Sequence, residues 1–410
     1  MADHRIRDSP DEVRDVLAQR AKESTTAEEI DSEEPGSFAY GVLTRRHPEL
    51  IAKVRSGIPY PPSVQRNLDR LDEAIQGVVP PFTEPSADRA EWESWAAPYV
   101  GRPWLEVPFL WAESYFYRLL LQATDYFRDV PWAGVDPFKP QKDAELGSAD
   151  LVRDLDQLAS VLSAPEDDGL HSALLASLWG NRADLGFRLS KPHAADADQV
   201  DDLIADDSNQ VWAHLGEREP ARVDLIADNA GRELVSDLLL IDRLLSTGRA
   251  GRVVMHLKPR PYFVSDATGH DLFTILAHLS RHTGATADMA ARLGAAITVG
   301  RIEVRTHAFW CSPLTFHDFP GDLADEIRES MLVIIKGDLN YRRLVGDRHW
   351  APTSSFSDLV QYFPAPLVAL RTLKSDLAVG IPDDRLALLE AHEPGWRTDG
   401  THAVIQARLS

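Results

Sequence analysis

Cysteine and positive charge are scarce in this chain, and each scarcity excludes a class of protein. Cys311 is the single cysteine among 410 residues, so no intrachain disulfide, CxxC redox pair or thiolate zinc site can form. Lysine and arginine total 43 against 64 acidic residues, and the net charge of −21 repels phosphate backbones and anionic lipid. We therefore expect no binding to nucleic acid or to membranes, and an acidic metabolite would need a cationic pocket or a metal ion.

Long apolar runs are missing as well. The stretch 233–245 is interrupted by Asp237, Asp242 and Arg243, so it falls short of the ~18 residues that cross a bilayer. The N-terminus is charged throughout and lacks the apolar segment of a secretory signal. Together with the single cysteine, these features predict a cytoplasmic protein.

The spacing of apolar residues predicts that the first half of the chain is mostly helical. Predicted helices cover 63–76, 105–122, 149–163 and 169–179. We divide the chain into an acidic, flexible leader (1–35), a mainly helical N-terminal region (36–205) and an α/β catalytic domain (206–410). The acidic segments 26–34 and 196–207 are interpreted as solvated tail or loop, because neither has the spacing of a calcium-binding loop.

The second half alternates short apolar runs with amphipathic segments. Strands are predicted at 222–227, 252–257, 302–308, 331–335, 368–371 and 403–407, with helices at 232–245, 271–282 and 322–330. This alternation is typical of an α/β fold whose mostly parallel sheet is covered by helices on both faces. In such folds the functional crevice lies beyond the carboxyl ends of the strands.

Two acidic segments follow predicted strands at that edge. Asp228 and Asn229 come directly after the run ending at Ala227, and Asp266 follows the run Tyr262–Val264. Carboxylate and amide oxygens suit Mg²⁺ or Mn²⁺, and their convergence would leave coordination positions for substrate and water. The alternative for each of the three residues is a helix N-cap, a role that Asp and Asn fill well.

A third strand end carries cations, which are unusual in so acidic a protein. The cations belong to two segments, Lys336–Arg342 and Arg371–Lys374. Arg holds a phosphate through a bidentate fork and Lys supplies a point charge, so these segments predict an anion pocket. Asp338 and Asn340 are candidates for orienting a polyhydroxylated substrate or the attacking water. The alternative for the cations is a surface salt bridge.

Several motifs in one order resemble the metal-dependent damage-control phosphatases, in the branch first described as acidic-residue methyltransferases. The resemblance begins near Phe38, and its motifs are Trp111–Arg118, Leu178–Leu185, Asp228–Asp237, Phe263–Thr268, Lys336–Arg342 and the Arg-Thr-x-Lys motif Arg371–Lys374. It implies a three-layer α/β/α sandwich with a helical N-terminal region. It also implies hydrolysis of phosphate esters of small metabolites, notably sugar phosphates such as fructose 1-phosphate, with Mn²⁺, Co²⁺ or Ni²⁺, and Mg²⁺ as a further candidate.

The resemblance also implies roles for single residues. Asp228, Asn229 and Asp266 match the metal ligands. The residues that match the substrate pocket are Glu113, Asn181, Glu233, Lys336, Asp338, Asn340, Arg342, Arg371 and Lys374. The sequence of Lys258–Tyr262 differs from the sequence that is usual in this branch. The substrate of this chain can therefore differ from that of the branch.

Two other functions compete with a metal-dependent phosphatase. The first is carboxyl methyl transfer from S-adenosylmethionine, although the turn after the first strand supplies a single glycine, Gly231. The second is a non-catalytic partner-binding protein, although such a protein would have no reason to keep buried carboxylates. His256, His307, His317 and His349 are interpreted as structural histidines, and Cys311 as a small buried hydrophobic residue.

Overall fold

A seven-stranded sheet organises the computed structural model, which describes residues 27–83, 85–180 and 202–410. The strands are β1 Leu203–Asp206, β2 Arg222–Ile226, β3 Arg252–Leu257, β4 Ile302–Thr306, β5 Leu332–Lys336, β6 Leu367–Thr372 and β7 Ala403–Arg408. Their order across the sheet is β1-β7-β6-β5-β2-β3-β4. All neighbouring strands are parallel except β6 and β7, so the predicted mostly parallel α/β sheet is confirmed.

Helices surround this sheet. Those of the first half are α1 Phe38–Gly41, α2 His47–Gly57, α3 Pro62–Ala74, α4 Arg89–Ala96, α5 Phe109–Ala123, α6 Lys139–Leu146, α7 Ala149–Leu162 and α8 Glu166–Trp179. Those of the second half are α9 Ser208–Gly216, α10 Gly231–Ser246, α11 Gly269–Leu279, α12 Ala285–Thr298, α13 Gly321–Arg328, α14 Gly337–Val345, α15 Phe356–Leu359 and α16 Asp383–His392. A π-helical turn, Val42–Arg46, joins α1 to α2.

The central strands are buried on both sides because their side chains alternate between two cores. On β5, Leu332 and Ile334 pack with α7, α8 and α10–α12, whereas Val333 and Ile335 pack with helices α1–α5 and α14. Every residue of β2, β5 and β6 is buried. The sheet therefore lies between two helical layers, which confirms the expected three-layer arrangement.

The strands β2, β3, β5 and β6 end at the edge of the sheet where the sequence predicts a crevice. These four strands are parallel neighbours, so their carboxyl ends meet at one edge. β2 lies between β5 and β3, and the chain leaves β2 toward β3 and β4 before it crosses back to β5 and β6. Such a change of direction opens a crevice at the strand ends, and helices of the first half cover it.

Several sequence predictions of local structure were wrong. Residues 262–266 form a loop across the strand ends and not a strand. The acidic segment 196–207 was expected to be solvated loop, but β1 lies within it and joins the sheet beside β7. The segment after Lys336, for which no element was predicted, folds as helix α14. Residues 181–201, including Asn181, lie outside the described part of the chain.

The end of the predicted leader contacts the body of the protein. The N–H of Ile30 donates to the Asp347 carbonyl at 3.0 Å, and the N–H of Phe109 donates to the Ile30 carbonyl at 2.7 Å. Ile30 and Ser32 are buried, so part of the segment 26–34 is not solvated as expected. Residues 1–26 lie outside the description. Among the helices that are described, none is long and apolar enough to span a membrane.

Candidate active site

A polar cavity of about 250 Å³ opens at the carboxyl ends of β2, β5 and β6. Its lining carries five carboxylates (Glu113, Asp228, Glu233, Asp266 and Asp338) and three cations (Arg46, Arg342 and Lys374). Asn229, predicted as a ligand, also lines it. The structure therefore brings together most of the residues that the motifs singled out, although these residues are spread over the chain from α5 to the segment after β6.

Asp228 lies at the floor of this cavity, where backbone and side chain meet closely. Gly337, the first residue of α14, has φ +83°, and a Cβ there would collide with the Asp228 carboxylate. Only glycine combines this backbone conformation with so close an approach. The Gly in the Lys336–Arg342 motif thus makes room for the carboxylate at the end of β2.

The loop that carries Asp266 is bonded to the turn that carries Asp228. The N–H of Ala267 donates to the Asp228 carbonyl at 2.8 Å, and the N–H of Ala230 donates to the Ser265 carbonyl at 2.6 Å. These bonds flank an isolated bridge between Asn229 and Asp266. Asp266 therefore reaches Asp228 through loop pairing, and not because both end neighbouring strands as predicted.

Neither carboxylate acts as a helix cap. The N-cap of α10 is Ala230, with no side-chain hydrogen bond, and the N-cap of α11 is Thr268, which forms a capping box with Asp271. The capping alternative is therefore excluded for Asp228, Asn229 and Asp266. Their polar groups have no role in starting the two helices.

Asn229 links two of the pocket carboxylates. Its Nδ2 donates to Asp228 Oδ2 at 2.9 Å and to Glu233 Oε2 at 2.8 Å, while its Oδ1 accepts a hydrogen bond from the Ser265 hydroxyl. In this orientation the amide holds Asp228 and Glu233 near each other. Its predicted role as a metal ligand would need the amide turned over, so that Oδ1 faces the cavity.

Three carboxylates of the cavity lie close enough to repel one another. Burial, with the charges of Glu233 and Asp266, raises the pKa of Asp228 well above its usual range. Burial also raises the pKa of Asp266, although Lys258, with Nζ 4.0 Å from Asp266 Oδ2, opposes this effect. Asp228, Glu233 and Asp266 are all buried. An arrangement of this kind has unfavourable electrostatic energy unless a cation joins it.

Lys336 does not reach the cavity, contrary to the predicted phosphate clamp. Its ammonium group lies 3.3 Å from Glu233 Oε1 and 3.2 Å from Asp237 Oδ1, and it also donates to the Ser177 carbonyl. Lys336 is the last residue of β5, and its side chain points to the same face as Leu332 and Ile334, toward α8 and α10. The Lys336 ammonium group therefore balances the charge of the buried carboxylates Glu233 and Asp237 without lining the cavity.

Two predicted arginines are also held by carboxylates. Arg342 lines the cavity, but it donates to Glu113 at 2.7 Å and through two nitrogens to Asp347. Arg371 lies behind the lining, where it donates to Asp338 Oδ1 at 2.8 Å. These pairs position Glu113 and Asp338 at the cavity wall. The two guanidinium groups thus act as supports, and their charge is already balanced.

The remaining predicted residues differ in their access to the cavity. Lys374 lines the cavity, and no carboxylate lies within ion-pair distance of it in the part of the chain that the structure describes. Asn340 is fully buried and donates to the carbonyls of Ala227 and Lys336, so it fastens α14 to the strand ends. Asn181 falls outside the description, and its predicted contact with substrate stays a prediction.

Sequence reasoning missed four contributors to this site. Arg46 and Phe38 line the cavity from the helical region, and no motif pointed to them. Tyr117, inside the motif Trp111–Arg118 but not singled out there, lines the cavity with its ring stacked on Phe263 at 4.3 Å. Lys142, on α6, donates to the Asp266 carbonyl at 2.9 Å and to Asp271 at 3.0 Å. A lone Lys among acidic residues gives no signal of such a role.

A second acidic cluster lies outside the cavity and is paired with arginine side chains. Within the described ranges, ligand atoms of Asp224, His256 and Glu326 lie within 4.8 Å of one another, which the pocket carboxylates do not achieve. Arg222 donates to both oxygens of Asp224 at 2.6 Å and to Glu326 at 3.1 Å. Guanidinium groups therefore already supply the positive charge, and we assign an ion-pair network and no metal to this cluster. His256 belongs to this network, with Nε2 3.0 Å from Asp224 Oδ2, and its structural role stays a prediction.

The sequence and the fold are similar to those of known proteins. Residues 11–388 match the family model described as "Damage-control phosphatase ARMT1-like domain". The chain is similar to the damage-control phosphatase ARMT1 of Mus musculus, with 31% identity over 429 residues that cover 92% of this chain and 97% of the relative. The corresponding Danio rerio protein is also 31% identical, covering 90% and 94%. A crystal structure of a DUF89 family protein from Pyrococcus horikoshii aligns with a TM-score of 0.49 and 13% identity, over 90% of this chain and 98% of that chain.

Two isosteric substitutions in one cavity test its electrostatics. Because the pKa of Asp228 is raised, its ionised form opposes folding once the pH exceeds that pKa, so Asp228→Asn should raise the melting temperature of metal-free protein at pH 8. The charges of Arg371 and Arg342 overcome burial and lower the pKa of Asp338, so its ionised form favours folding. Asp338→Asn should lower the melting temperature. Thermal denaturation of both variants checks this, and a shift of the same sign in both would refute the charge assignment.

Proposed function

Because the chain belongs to the ARMT1-like family of damage-control phosphatases and is thus a phosphatase, we propose that it hydrolyses phosphate monoesters of small metabolites with the help of a divalent metal ion. The observation that carries this proposal is the group of buried carboxylates Asp228, Glu233 and Asp266, whose mutual repulsion calls for a cation. Lys374 lines the same cavity without an ion-pair partner among the described residues, so an anionic group can also bind there.

The donor chemistry of the residues present fits a metal ion. Asp228 and Asp266 would hold it, with Glu233 as a further carboxylate and Asn229 through its Oδ1 if the amide turns over. Oxygen donors of this kind suit Mn²⁺, Co²⁺, Ni²⁺ or Mg²⁺. When bound, such an ion supplies Lewis acidity toward a phosphoryl oxygen and lowers the pKa of the water that attacks phosphorus.

The chain's own residues bind and orient the ester. Lys374 would neutralise phosphoryl oxygens that face away from the carboxylates. Asp338, held in place by Arg371, offers an acceptor for substrate hydroxyls. Tyr117 and Phe263 form an aromatic wall that limits the entry of water. The helices of residues 36–205 supply part of this wall, so the proposed catalytic domain, 206–410, needs them to complete its site.

The dimensions of the cavity favour a small substrate. A cavity of about 250 Å³ is slightly below the usual range for ligand sites, roughly 300–1,000 Å³, and suits an ester of sugar size. Fructose 1-phosphate is the first sugar ester to test, because it presents one phosphate and several hydroxyls to a lining that holds both cations and acceptors. We infer that the enzyme acts in the cytoplasm, as its single cysteine predicts.

The turn after β2 gives no support to methyl transfer. A cofactor such as S-adenosylmethionine would need open space at this turn, but a Cβ on Gly231 would collide with the Glu145 carboxylate. Glu145 also accepts the N–H of Arg232 at 3.2 Å. The turn is therefore packed against α6, and the cavity opens on its other side.

The proposed function predicts metal-dependent release of phosphate. Chelator-treated protein should release little phosphate from a panel that includes fructose 1-phosphate, and added Mn²⁺ should restore turnover. Asp266→Asn should lower turnover with Mn²⁺ by at least about 100-fold, since even residues that only support metal ligands often cost 10- to 100-fold. Phosphate release at an unchanged rate in Asp266→Asn, or in the presence of chelator, would refute the metal assignment.

Two lysines of the signature motifs should behave differently. Lys374→Met removes a charge-assisted contact worth ~1.5–3 kcal/mol, so kcat/KM should fall roughly 10- to 100-fold without loss of stability. Lys336→Met leaves Glu233 and Asp237 buried without their cation, so it should lower the free energy of unfolding by about 3–5 kcal/mol. Kinetics and urea denaturation of both variants separate the two roles. Equal kinetic defects with equal stability would show that both lysines bind substrate.

A further inference from the structure

The helical region brings one cation into the cavity that belongs to no signature motif. Arg46 is exposed and lines the cavity together with Phe38 and Glu113. We propose that Arg46 forms a second anion subsite, which selects phosphate esters that carry another oxyanion, either a carboxylate or a second phosphate. This inference rests on the proposed function, because it assumes that the reacting phosphoryl group lies at the Asp228 end.

A π-helical turn places Arg46 at the cavity. The segments α1, Val42–Arg46 and α2 form one continuous helix, and the N–H of His47 donates to the Val42 carbonyl, five residues back. In a regular α-helix Phe38 and Arg46 would be rotated about 80° apart. The extra residue of the π turn reduces this to about 20°, so both side chains lie on one face. Such turns occur frequently at functional sites.

The local contacts of Arg46 leave its charge available. Its guanidinium carbon lies 5.7 Å from the centre of the Phe38 ring, and no carboxylate among the described residues pairs with it. Arg342, the neighbouring guanidinium of the cavity, is by contrast bonded to Glu113 and Asp347. Phe38 is itself fixed, since its N–H donates to Asp376 Oδ2 at 3.1 Å. The aromatic ring thus supports Arg46 without neutralising it.

Arg46 and Lys374 reach the cavity from different parts of the fold. Lys374 follows β6 at the sheet edge, near the carboxylates that follow β2. Arg46 belongs to the helical cover, on the side formed by Phe38, Phe109 and the Arg342–Glu113 pair. A small ester in this cavity can therefore meet two cations, Lys374 for the reacting phosphoryl group and Arg46 for a second oxyanion. Guanidinium groups bind carboxylates and phosphates through two parallel hydrogen bonds, which gives this subsite its chemistry.

Matched substrates and a matched variant test the subsite. One pair of probes is 3-phosphoglycerate and glycerol 3-phosphate, which differ by a carboxylate. A second pair is fructose 1,6-bisphosphate and fructose 1-phosphate, which differ by a phosphate. Wild-type protein should prefer the more anionic member of one pair by about 10-fold or more in kcat/KM, and the pair that shows it identifies the oxyanion. Arg46→Gln should abolish this preference, mainly through KM.

Arg45→Gln is the control, since Arg45 shares the π turn and the charge but does not line the cavity. It should keep the wild-type preference, and Arg46→Lys should restore part of it. Calorimetry of both pairs with chelator-treated protein measures the same preference without turnover. If no ester is hydrolysed while the binding preference depends on Arg46, the proposed function fails and the subsite stands. Equal loss for both members of each pair in Arg46→Gln, or no preference in wild type by either method, would overturn the subsite.

Discussion

The repulsion among Asp228, Glu233 and Asp266 is the constraint on which the rest of the site depends. Three carboxylates can be buried together only if charges behind them reduce the cost, and the chain provides three buried lysines for this purpose. Lys336 pairs with Glu233, Lys258 lies 4.0 Å from Asp266, and Lys142 binds the main chain of Asp266. These lysines lower the cost without entering the cavity. The cavity itself keeps an excess of carboxylates, as the proposed metal site requires.

The helical first half is part of the candidate active site and not merely an addition to the α/β fold. Helix α1, the π turn that follows it and helix α5 supply Phe38, Arg46, Glu113 and Tyr117 to the lining. Lys142, on α6, ties the Asp266 loop to the helices through a hydrogen bond and a salt bridge with Asp271. The sheet edge therefore offers the carboxylates, whereas the helical cover decides what else can enter.

The central strands could be predicted from sequence because they are short, uninterrupted apolar runs. The carboxylates at the strand ends could be predicted because they directly follow such runs. Alternation along β5 also contained the information that Lys336 faces α10 with Leu332 and Ile334, but its motif suggested a phosphate contact instead. The residues 262–266 looked like a strand because they are aromatic and β-branched, yet they form a loop that pairs with the Asp228 turn. Arg46 could not be predicted, since a single π turn changes which face of the helix it occupies.

Calorimetric titration of metal-free protein with Mn²⁺ tests the central claim most directly. Repeating the titration in buffers of different ionisation enthalpy counts the protons released on binding. Since crowding raises the pKa of Asp228, a cation that relieves the repulsion must displace protons from the carboxylates. The account predicts saturable binding of Mn²⁺ with proton release that grows as the pH is lowered toward the pKa of Asp228. Absence of saturable binding, or binding that releases no protons at any pH, would contradict it.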